Sequence, residues 1–216
     1  MTTKTITGAY PTGYTLKAAY SGLDIASTAS VGGMGVQLDA TGVVANYGVV
    51  IGNYHGVAGV DMADGGTVVN GAAKPKDEAA QIQGYDYGIR GEGLLSVSNF
   101  GTISGTQALG VFADAGGSIT NGAAKDTTAL ITGFDGVLSA NAAGTVMNFG
   151  TVAATSYFGY GVDLLSGGRV TNGSTTHTGA LISGASGVKL ESGGTVINFG
   201  TIECGAVPGG RGGYGV

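Results

Sequence analysis

An asparagine stands two residues after a β-branched side chain at seven places in this chain. The β-branched residues are Val44, Val68, Val97, Ile119, Val146, Val170 and Val196. The asparagines are Asn46, Asn70, Asn99, Asn121, Asn148, Asn172 and Asn198. They follow one another at intervals of 24, 29, 22, 27, 24 and 26 residues. This period is typical of a solenoid rather than of a compact domain with a single core.

Two further apolar positions recur once in each period. The first is a glycine followed by valine or isoleucine, at Gly35 Val36, Gly59 Val60, Gly88 Ile89, Gly110 Val111, Gly136 Val137, Gly161 Val162, Gly187 Val188 and Gly215 Val216. The second is an aliphatic residue after each asparagine, at Ile51, Ile82, Ile103, Ile131, Val152, Ile182 and Ile202. Three short β-branched segments per period, separated by glycine, predict a coil with one strand on each of three faces. The predicted fold is all-β, a parallel β-helix: a three-sided β-solenoid of about eight coils of 22–29 residues.

Stacking of such coils explains why these residue types recur. Neighbouring parallel strands lie about 4.8 Å apart, so an inward valine contacts its equivalent in the next coil and aliphatic columns form the core. An asparagine at a corner can form amide hydrogen bonds with the asparagines above and below it. These bonds provide partners for polar groups that would otherwise be buried at the corner without one. Glycine beside it accepts a positive φ without steric cost. We therefore predict that the seven asparagines form a structural ladder.

The asparagines are of two kinds that alternate along the chain. Asn46, Asn99, Asn148 and Asn198 precede an aromatic residue and a glycine, whereas Asn70, Asn121 and Asn172 precede a glycine and a polar insertion. The repeat is therefore a pair of coils, and the insertions are predicted to emerge from one edge at intervals of about 9.6 Å, or two strand spacings. We expect that edge to be the recognition surface. Its candidate residues are Lys74, Lys76, Asp77, Lys125, Asp126, Thr176 and His177.

The two ends of the chain differ from the repeat. Residues 1–21 lack the asparagine position and contain three tyrosines, so they are predicted to form an N-terminal cap over the first coil. Residues 22–216 are predicted to form the coils, and they end in mid-coil because Gly213 to Val216 repeat Gly159 to Val162. An ending in mid-coil predicts either that the chain is a fragment of a longer protein or that its last coil docks onto another subunit. Self-association through the last coil, end to end, is the expected consequence.

Composition narrows the classes of partner. With 43% hydrophobic and 11% charged residues the chain is expected to fold, although 45 of its 216 residues are glycine. Its net charge of −5 argues against nucleic acid as a partner. No stretch of 18 apolar residues is present, so membrane insertion as a helix is not expected. The N-terminus has no recognisable signal peptide, and Cys204 is the single cysteine, expected to be a small packed residue.

Local sequence motifs resemble those of a known class of repetitive proteins. The segment Gly194 Thr195 Val196 Ile197 Asn198 Phe199 Gly200 Thr201 Ile202 resembles right-handed parallel β-helices of autotransporter-like passenger proteins. The opening Ile6 Thr7 Gly8 Ala9 Tyr10 and Gly13 Tyr14 Thr15 Leu16 is similar to repetitive extracellular proteins of α-proteobacteria, some of which carry a C-terminal Hint domain. The resemblance covers nearly the whole chain and implies an extracellular or cell-surface β-helix. No catalytic motif and no Hint domain accompany it in these residues.

Carboxylates are the candidate catalytic groups, because β-helices include glycosidases and polysaccharide lyases. Asp61 and Asp163 occupy matching positions but are four coils apart, roughly 19 Å. Asp86 and Asp135 lie in related corners two coils apart, near 9.6 Å, which comes close to the separation of about 6.5–9.5 Å in inverting glycosidases. A solvated turn role is the expected alternative for both. His55 and His177 are far apart and have no further ligand at metal-binding spacing. We expect no catalytic residue, no cofactor and no metal.

These patterns favour a non-catalytic extracellular β-solenoid with a structural or adhesive function, and end-to-end assembly into filaments is an expectation that follows from its last coil. The main alternative is a β-helix that binds or cleaves a surface polysaccharide, for which a host or bacterial surface would be the partner. A viral tail-fibre segment, which would be a trimer, is a third candidate.

Overall fold

A computed structural model describes residues 2–73 and 79–205, which contain 26 strands and no helix. Coils 1 to 3 comprise β1 (Thr3–Ile6), β2 (Ala9–Tyr10), β3 (Tyr14–Thr15), β4 (Gly22–Ile25), β5 (Ser30–Val31), β6 (Val36–Leu38), β7 (Gly42–Asn46), β8 (Val49–Ile51) and β9 (Ala58–Met62). Coils 4 to 6 comprise β10 (Gly66–Asn70), β11 (Gln81–Gly84), β12 (Tyr87–Gly91), β13 (Leu95–Asn99), β14 (Thr102–Gly105), β15 (Leu109–Ala113), β16 (Gly117–Asn121), β17 (Leu130–Gly133) and β18 (Asp135–Ser139). Coils 7 to 9 comprise β19 (Gly144–Asn148), β20 (Thr151–Ala154), β21 (Tyr160–Leu164), β22 (Gly168–Asn172), β23 (Leu181–Gly184), β24 (Ser186–Leu190), β25 (Gly194–Asn198) and β26 (Thr201–Cys204).

Every third strand belongs to the same sheet, and all pairs within the sheets are parallel. Sheet 1 runs from β1 through β4 and β7 to β25, sheet 2 from β2 through β5 and β8 to β26, and sheet 3 from β3 through β6 and β9 to β24. Each coil contributes one strand to each sheet, and the ninth adds β25 and β26 to sheets 1 and 2. The predicted three-sided parallel β-solenoid is therefore confirmed.

The core consists of three columns of aliphatic side chains, one column behind each sheet. These residues are in register from coil to coil and lie between 0% and 3% exposed. The sheet 1 column is Val44, Val68, Val97, Ile119, Val146 and Val170; the sheet 2 column is Val50, Ile82, Ile103, Ile131, Val152 and Ile182; the sheet 3 column is Val60, Ile89, Val111, Val137, Val162 and Val188. The core is thus a continuous rod of stacked like residues, as the sequence predicted.

One position of the predicted sheet 2 column is wrong by a residue. Val50 pairs with Ile82 and is fully buried, whereas Ile51 pairs with Gln83 and is half-buried on the outer face. Side chains alternate between the two faces of a strand, so a shift of one residue exchanges inside for outside. The spacing of four residues from Asn46 to Val50 is also the spacing from Asn99 to Ile103.

The N-terminal segment predicted to be a cap folds as the first coil. Its strands β1, β2 and β3 pair in parallel with β4, β5 and β6 of the second coil. Ile6 is fully buried and lies over Ile25, which in turn lies over Asn46. Isoleucine therefore takes the asparagine position in the first two coils. At the other end, Gly213 to Val216 lie outside the described residues, so docking through the last coil stays a prediction.

Candidate functional site

The seven asparagines form one column along the corner between sheets 1 and 2. The Nδ2 of each of the first six asparagines donates a hydrogen bond of 2.8–2.9 Å to the Oδ1 of the asparagine in the next coil, and Asn198 accepts the last of these bonds. The same Nδ2 donates to a backbone carbonyl just past that corner in the next coil; Asn121, for example, donates to Thr151 O at 2.9 Å. The first six side chains are fully buried, and Asn198 on β25 is exposed. The column thus satisfies the buried polar groups of every corner it crosses.

The glycines beside the ladder serve two different purposes. In the Asn-Gly corners, Gly71, Gly122 and Gly173 have φ of +78°, +75° and +75°, a conformation that other residues rarely adopt. In the Asn-aromatic-Gly corners the glycine does not have a positive φ. A Cβ on Gly150 would instead lie 2.1 Å from the carbonyl oxygen of Ala129 in the preceding coil. Close approach of two backbones, rather than φ, therefore requires glycine in the second kind of corner.

Two of the three predicted recognition loops lie in the described residues, and they have the same conformation. In the loop at 122–129, Ala123 and Asp126 exchange two backbone hydrogen bonds of 2.8 Å. In the loop at 173–180, Ser174 and His177 exchange the equivalent bonds at 3.0 Å. Lys125 and Thr176 therefore occupy equivalent positions, as do Asp126 and His177. Lys74, Lys76 and Asp77 of the third loop lie outside the described residues.

The ladder fixes the base of each of these loops. Asn121 donates to the carbonyl of Ala129 at 3.2 Å, and Asn172 donates to the carbonyl of Ala180 at 3.3 Å. Each alanine is the last residue of its loop, so the amide closes the loop at its end. Phe149 occupies the corner of the intervening coil and is half-buried between the two loops. The loops therefore project from one edge, two strand spacings or about 9.6 Å apart.

The structure does not bring Asp86 and Asp135 together in the way the sequence suggested. Asp135 pairs with Leu109, which pairs with Tyr87, so Asp86 lies one residue outside that register. The Asp86 carboxylate accepts a bond of 3.0 Å from the amide of Gly56 in the preceding coil. The Asp135 carboxylate accepts a bond of 2.7 Å from the amide of Tyr160 in the following coil. The two carboxylates thus bond in opposite directions along the rod, each to a backbone amide in a corner.

Asp61 and Asp163 occupy one outward column of sheet 3, four coils apart as predicted, and each is paired with a cation in the next coil. Asp61 lies 3.4 Å from Arg90, and Asp163 lies 3.5 Å from Lys189. A glutamate two residues past each cation, Glu92 or Glu191, also contacts it. Each described ion-pair cluster therefore joins two neighbouring coils on the outer surface of sheet 3.

The buried carboxyl group of Asp163 should make the stability of the protein depend on pH. Burial raises the pKa of its carboxyl above the ordinary value of 3.8, and the Lys189 charge opposes this. Because the folded state holds the proton more tightly than the unfolded state, this group contributes most to stability below pH 3.8, and the contribution is lost as the pH rises through the raised pKa. We expect Asp163→Asn to raise the Tm at pH 7 by a few degrees and to flatten the dependence between pH 4 and 7. Thermal unfolding followed by circular dichroism measures both.

Asp126→Asn, in an exposed loop, is the control for Asp163→Asn. It should leave the pH dependence of the Tm unchanged, since it removes no carboxylate from sheet 3. A Tm that falls at pH 7 in Asp163→Asn would contradict the expected cost of the buried charge.

The corner between sheets 2 and 3 carries exposed aromatic residues that the sequence reasoning did not single out. Tyr54, Phe134, Tyr157 and Phe158 are 56%, 45%, 67% and 81% exposed. They lie in coils 3, 6 and 7, and in coil 4 the ring of Tyr85 lies 5.5 Å from the ring of His55. His177 lies at the other corner, in its loop, with Nδ1 3.0 Å from Thr176 Oγ1. The two histidines are therefore on different edges of the rod.

A cavity of about 300 Å³ adjoins this aromatic corner, between the loop at 155–159, the shorter corner of coil 8 and the end of β26. Tyr157 forms its wall, and Ser183 and Glu203, in register on neighbouring strands, lie on its floor. Cys204 was expected to be packed but is exposed, because β26 is the last strand of sheet 2 in the described residues.

The fold and its buried ladder define the protein as a three-sided parallel β-solenoid. Comparison with family models, with curated proteins and with solved structures gives no significant match. Among residues 2–73 and 79–205, no three His, Cys, Asp or Glu side chains are grouped as metal ligands would be. That same part of the chain has no helix of the length and hydrophobicity that a membrane span requires.

Proposed function

We propose that this protein is a non-catalytic extracellular or cell-surface β-solenoid whose function is structural or adhesive. The observation that carries the proposal is the pair of loops at 122–129 and 173–180. They share one backbone conformation, project from the same edge and are closed by consecutive members of one kind of ladder asparagine. A rod that presents equivalent loops at a fixed interval is suited to many weak contacts with a repetitive surface, because linked contacts reinforce one another.

The side chains of the loops suit contact with a polar surface. Lys125 and Thr176 are exposed at equivalent positions, and the preceding and following residues carry hydroxyl groups, a carboxylate and an imidazole. Their backbone is held by paired hydrogen bonds, so little conformational entropy is lost when the loops bind. Preorganised polar loops on a rigid scaffold are a common arrangement for binding surfaces.

The roles of the carboxylates support the non-catalytic part of the proposal. Asp61 and Asp163 join coils through ion pairs, and Asp86 and Asp135 accept hydrogen bonds from backbone amides. Each of these contacts links two neighbouring coils at a corner or on a face of the solenoid. A glycosidase, in contrast, directs two carboxyl groups at one bond from opposite sides.

Attachment of protein-coated beads tests the adhesive function. Beads carrying the protein should bind to cells of the producing strain and to isolated surface polysaccharide. Combining Lys125→Ala with Thr176→Ala should reduce bead attachment several-fold, because it removes the equivalent exposed side chains of both described loops. The number of beads retained after washing is the measurement.

A matched control uses the outer face of sheet 1. Ser118→Ala with Thr145→Ala removes two exposed polar side chains from strands β16 and β19 and should leave attachment unchanged. Equal losses in both double variants would assign attachment to the surface in general and not to the loops. Release of new reducing ends from the polysaccharide would contradict the non-catalytic assignment.

A further inference from the structure

We infer that the cavity beside Tyr157 binds a neutral pyranose unit of a polysaccharide chain that lies along the corner between sheets 2 and 3. The inference rests on the adhesive function proposed above, for which it names a ligand class and a second contact surface. It starts from the geometry of coils 7 to 9, where the loop at 155–159 is longer than the corner of the following coil. That difference in length creates the cavity of about 300 Å³.

The cavity has an aromatic wall and a polar floor. Tyr157 is 67% exposed, so most of its ring is available to a ligand. On the floor, Ser183 and Glu203 are paired in register on β23 and β26 and point outward from sheet 2. In the described part of the chain, neither side chain has a hydrogen-bond partner. Small-molecule sites characteristically combine an apolar or aromatic surface with a few polar groups that fix orientation, and their volumes begin near 300 Å³.

A pyranose ring matches this combination better than an apolar ligand does. One face of the ring presents C–H groups that pack on an aromatic side chain, and its hydroxyl groups are hydrogen-bond donors and acceptors. The hydroxyl of Ser183 and the carboxylate of Glu203 can bond to them. An apolar ligand would instead bury the Glu203 carboxylate without a partner, which is costly.

The carboxylate of Glu203 favours neutral sugars over acidic sugars as ligands of the cavity. Among the described residues that line it, Glu203 is the one charged side chain. A uronic acid would place a second carboxylate near Glu203, and none of the described lining residues is a cation that would offset the repulsion. A neutral hexose or N-acetylhexosamine has no such penalty. Neutral pyranoses are therefore the expected ligands, and polyuronates are excluded.

The aromatic corner extends the site along the rod. Phe134 lies one coil before the Tyr157 loop, since the carbonyl of Phe134 lies directly against Gly159. Tyr85 and Tyr54 continue the corner to coils 4 and 3. Coils repeat every 4.8 Å or so, which is close to the rise of one sugar residue in an extended β-linked chain. Coil 5 has no aromatic residue at this corner, so a linear glycan would contact aromatic rings in coils 3 and 4 and again in coils 6 and 7, where its terminal unit occupies the cavity.

Titration calorimetry with defined hexasaccharides tests the inference. The full chain is titrated with cellohexaose, with the hexamer of N-acetylglucosamine and with hexagalacturonate. We expect at least one neutral hexamer to bind and hexagalacturonate not to bind. Tyr157→Ala should weaken binding of the neutral hexamer about tenfold, the upper range for loss of an aromatic stacking contact. Glu203→Gln should retain neutral binding and admit hexagalacturonate.

Phe199→Ala is the matched control, because Phe199 is an exposed aromatic residue at the corner between sheets 1 and 2. It should not alter the affinity. Thermal unfolding of Tyr157→Ala should equal that of the wild type, since this side chain is mostly exposed. Absence of binding by both neutral hexamers, equal binding of hexagalacturonate by the wild type, or equal effects of Tyr157→Ala and Phe199→Ala would each overturn the inference.

The bead experiment separates failure of this inference from failure of the adhesive function. If neutral hexamers do not bind while the loop variants still reduce attachment, the inference is wrong and the adhesive function stands. If the hexamers bind at Tyr157 and the loop variants have no effect on attachment, the ligand site stands and the loop-based function is wrong.

Discussion

Asn121→Ala is expected to lower the free energy of unfolding by at least about 3 kcal/mol, because it leaves several buried polar groups without a partner. Asn121 accepts a hydrogen bond of 2.8 Å from Asn99 and donates one of 2.9 Å to Asn148. It also donates to the carbonyl groups of Ala129 and Thr151. Water cannot replace these bonds readily, since the side chain is fully buried. Urea denaturation measures the loss.

Two further variants isolate the role of the amide in the ladder. Asn121→Asp keeps the shape and the acceptor but removes the donor, so it places a carboxylate against the Oδ1 of Asn148 and should be at least as destabilising as alanine. Asn198→Ala, at the exposed end of the described column, should cost less than about 1.5 kcal/mol, the usual value of one hydrogen bond. Equal costs for Asn121→Ala and Asn198→Ala would mean that the buried ladder contributes no more than an exposed side chain.

Gly150→Ala is expected to destabilise the fold by about 3 kcal/mol or more, at the upper end for an overpacked site. An added Cβ would lie 2.1 Å from the carbonyl oxygen and 3.0 Å from the carbonyl carbon of Ala129. Both are backbone atoms of the neighbouring coil, so no side-chain rotation can relieve the contact. Relief would require the two coils to separate, which would also stretch the ladder at Asn121. Urea denaturation and the yield of folded protein measure the effect.

Gly179→Ala is the control for this substitution. No heavy atom lies within 4 Å of a Cβ built at Gly179, and its backbone is outside the left-handed region. Alanine there should be neutral or stabilising by up to about 1 kcal/mol, because it restricts the unfolded chain. Tolerance of Gly150→Ala to the same degree would show that the coils are not held at the spacing described above.

The regular features of the fold could be predicted from the sequence because each repeats in every coil. A β-branched residue two positions before asparagine gave the sheet 1 column, and the period gave the number of coils. Parallel in-register stacking then followed, since like residues pack on like residues. The error at Ile51 could have been avoided from the sequence, because the column residue follows Asn99, Asn148 and Asn198 by four positions, and the same spacing from Asn46 gives Val50. Spacing, which fixes the face of a strand, is the better guide.

The irregular features could not be predicted, because their positions depend on loop lengths that differ from coil to coil. The cavity beside Tyr157 exists because one corner is long and the next is short. The sequence does mark this difference in length, since Gly161 follows Val152 by nine residues and Gly187 follows Ile182 by five, but spacing alone does not show that the longer corner encloses a cavity. Asp86 and Asp135 were matched by their places in similar corners, but a one-residue offset in register separates them. The polar insertions at 122–129 and 173–180 do form loops, as predicted, and their role in recognition stays a prediction. The equivalence of Asp126 with His177 could be recognised only from the backbone.

All six amide links of the ladder point the same way, from Asn46 toward Asn198, so their dipoles add along the rod. The series begins abruptly, because the residue that lies over Asn46 is Ile25, which cannot donate a hydrogen bond. The molecule therefore has an electrical polarity that is independent of its net charge. Two copies brought together at like ends would oppose these dipoles, whereas a head-to-tail arrangement would align them.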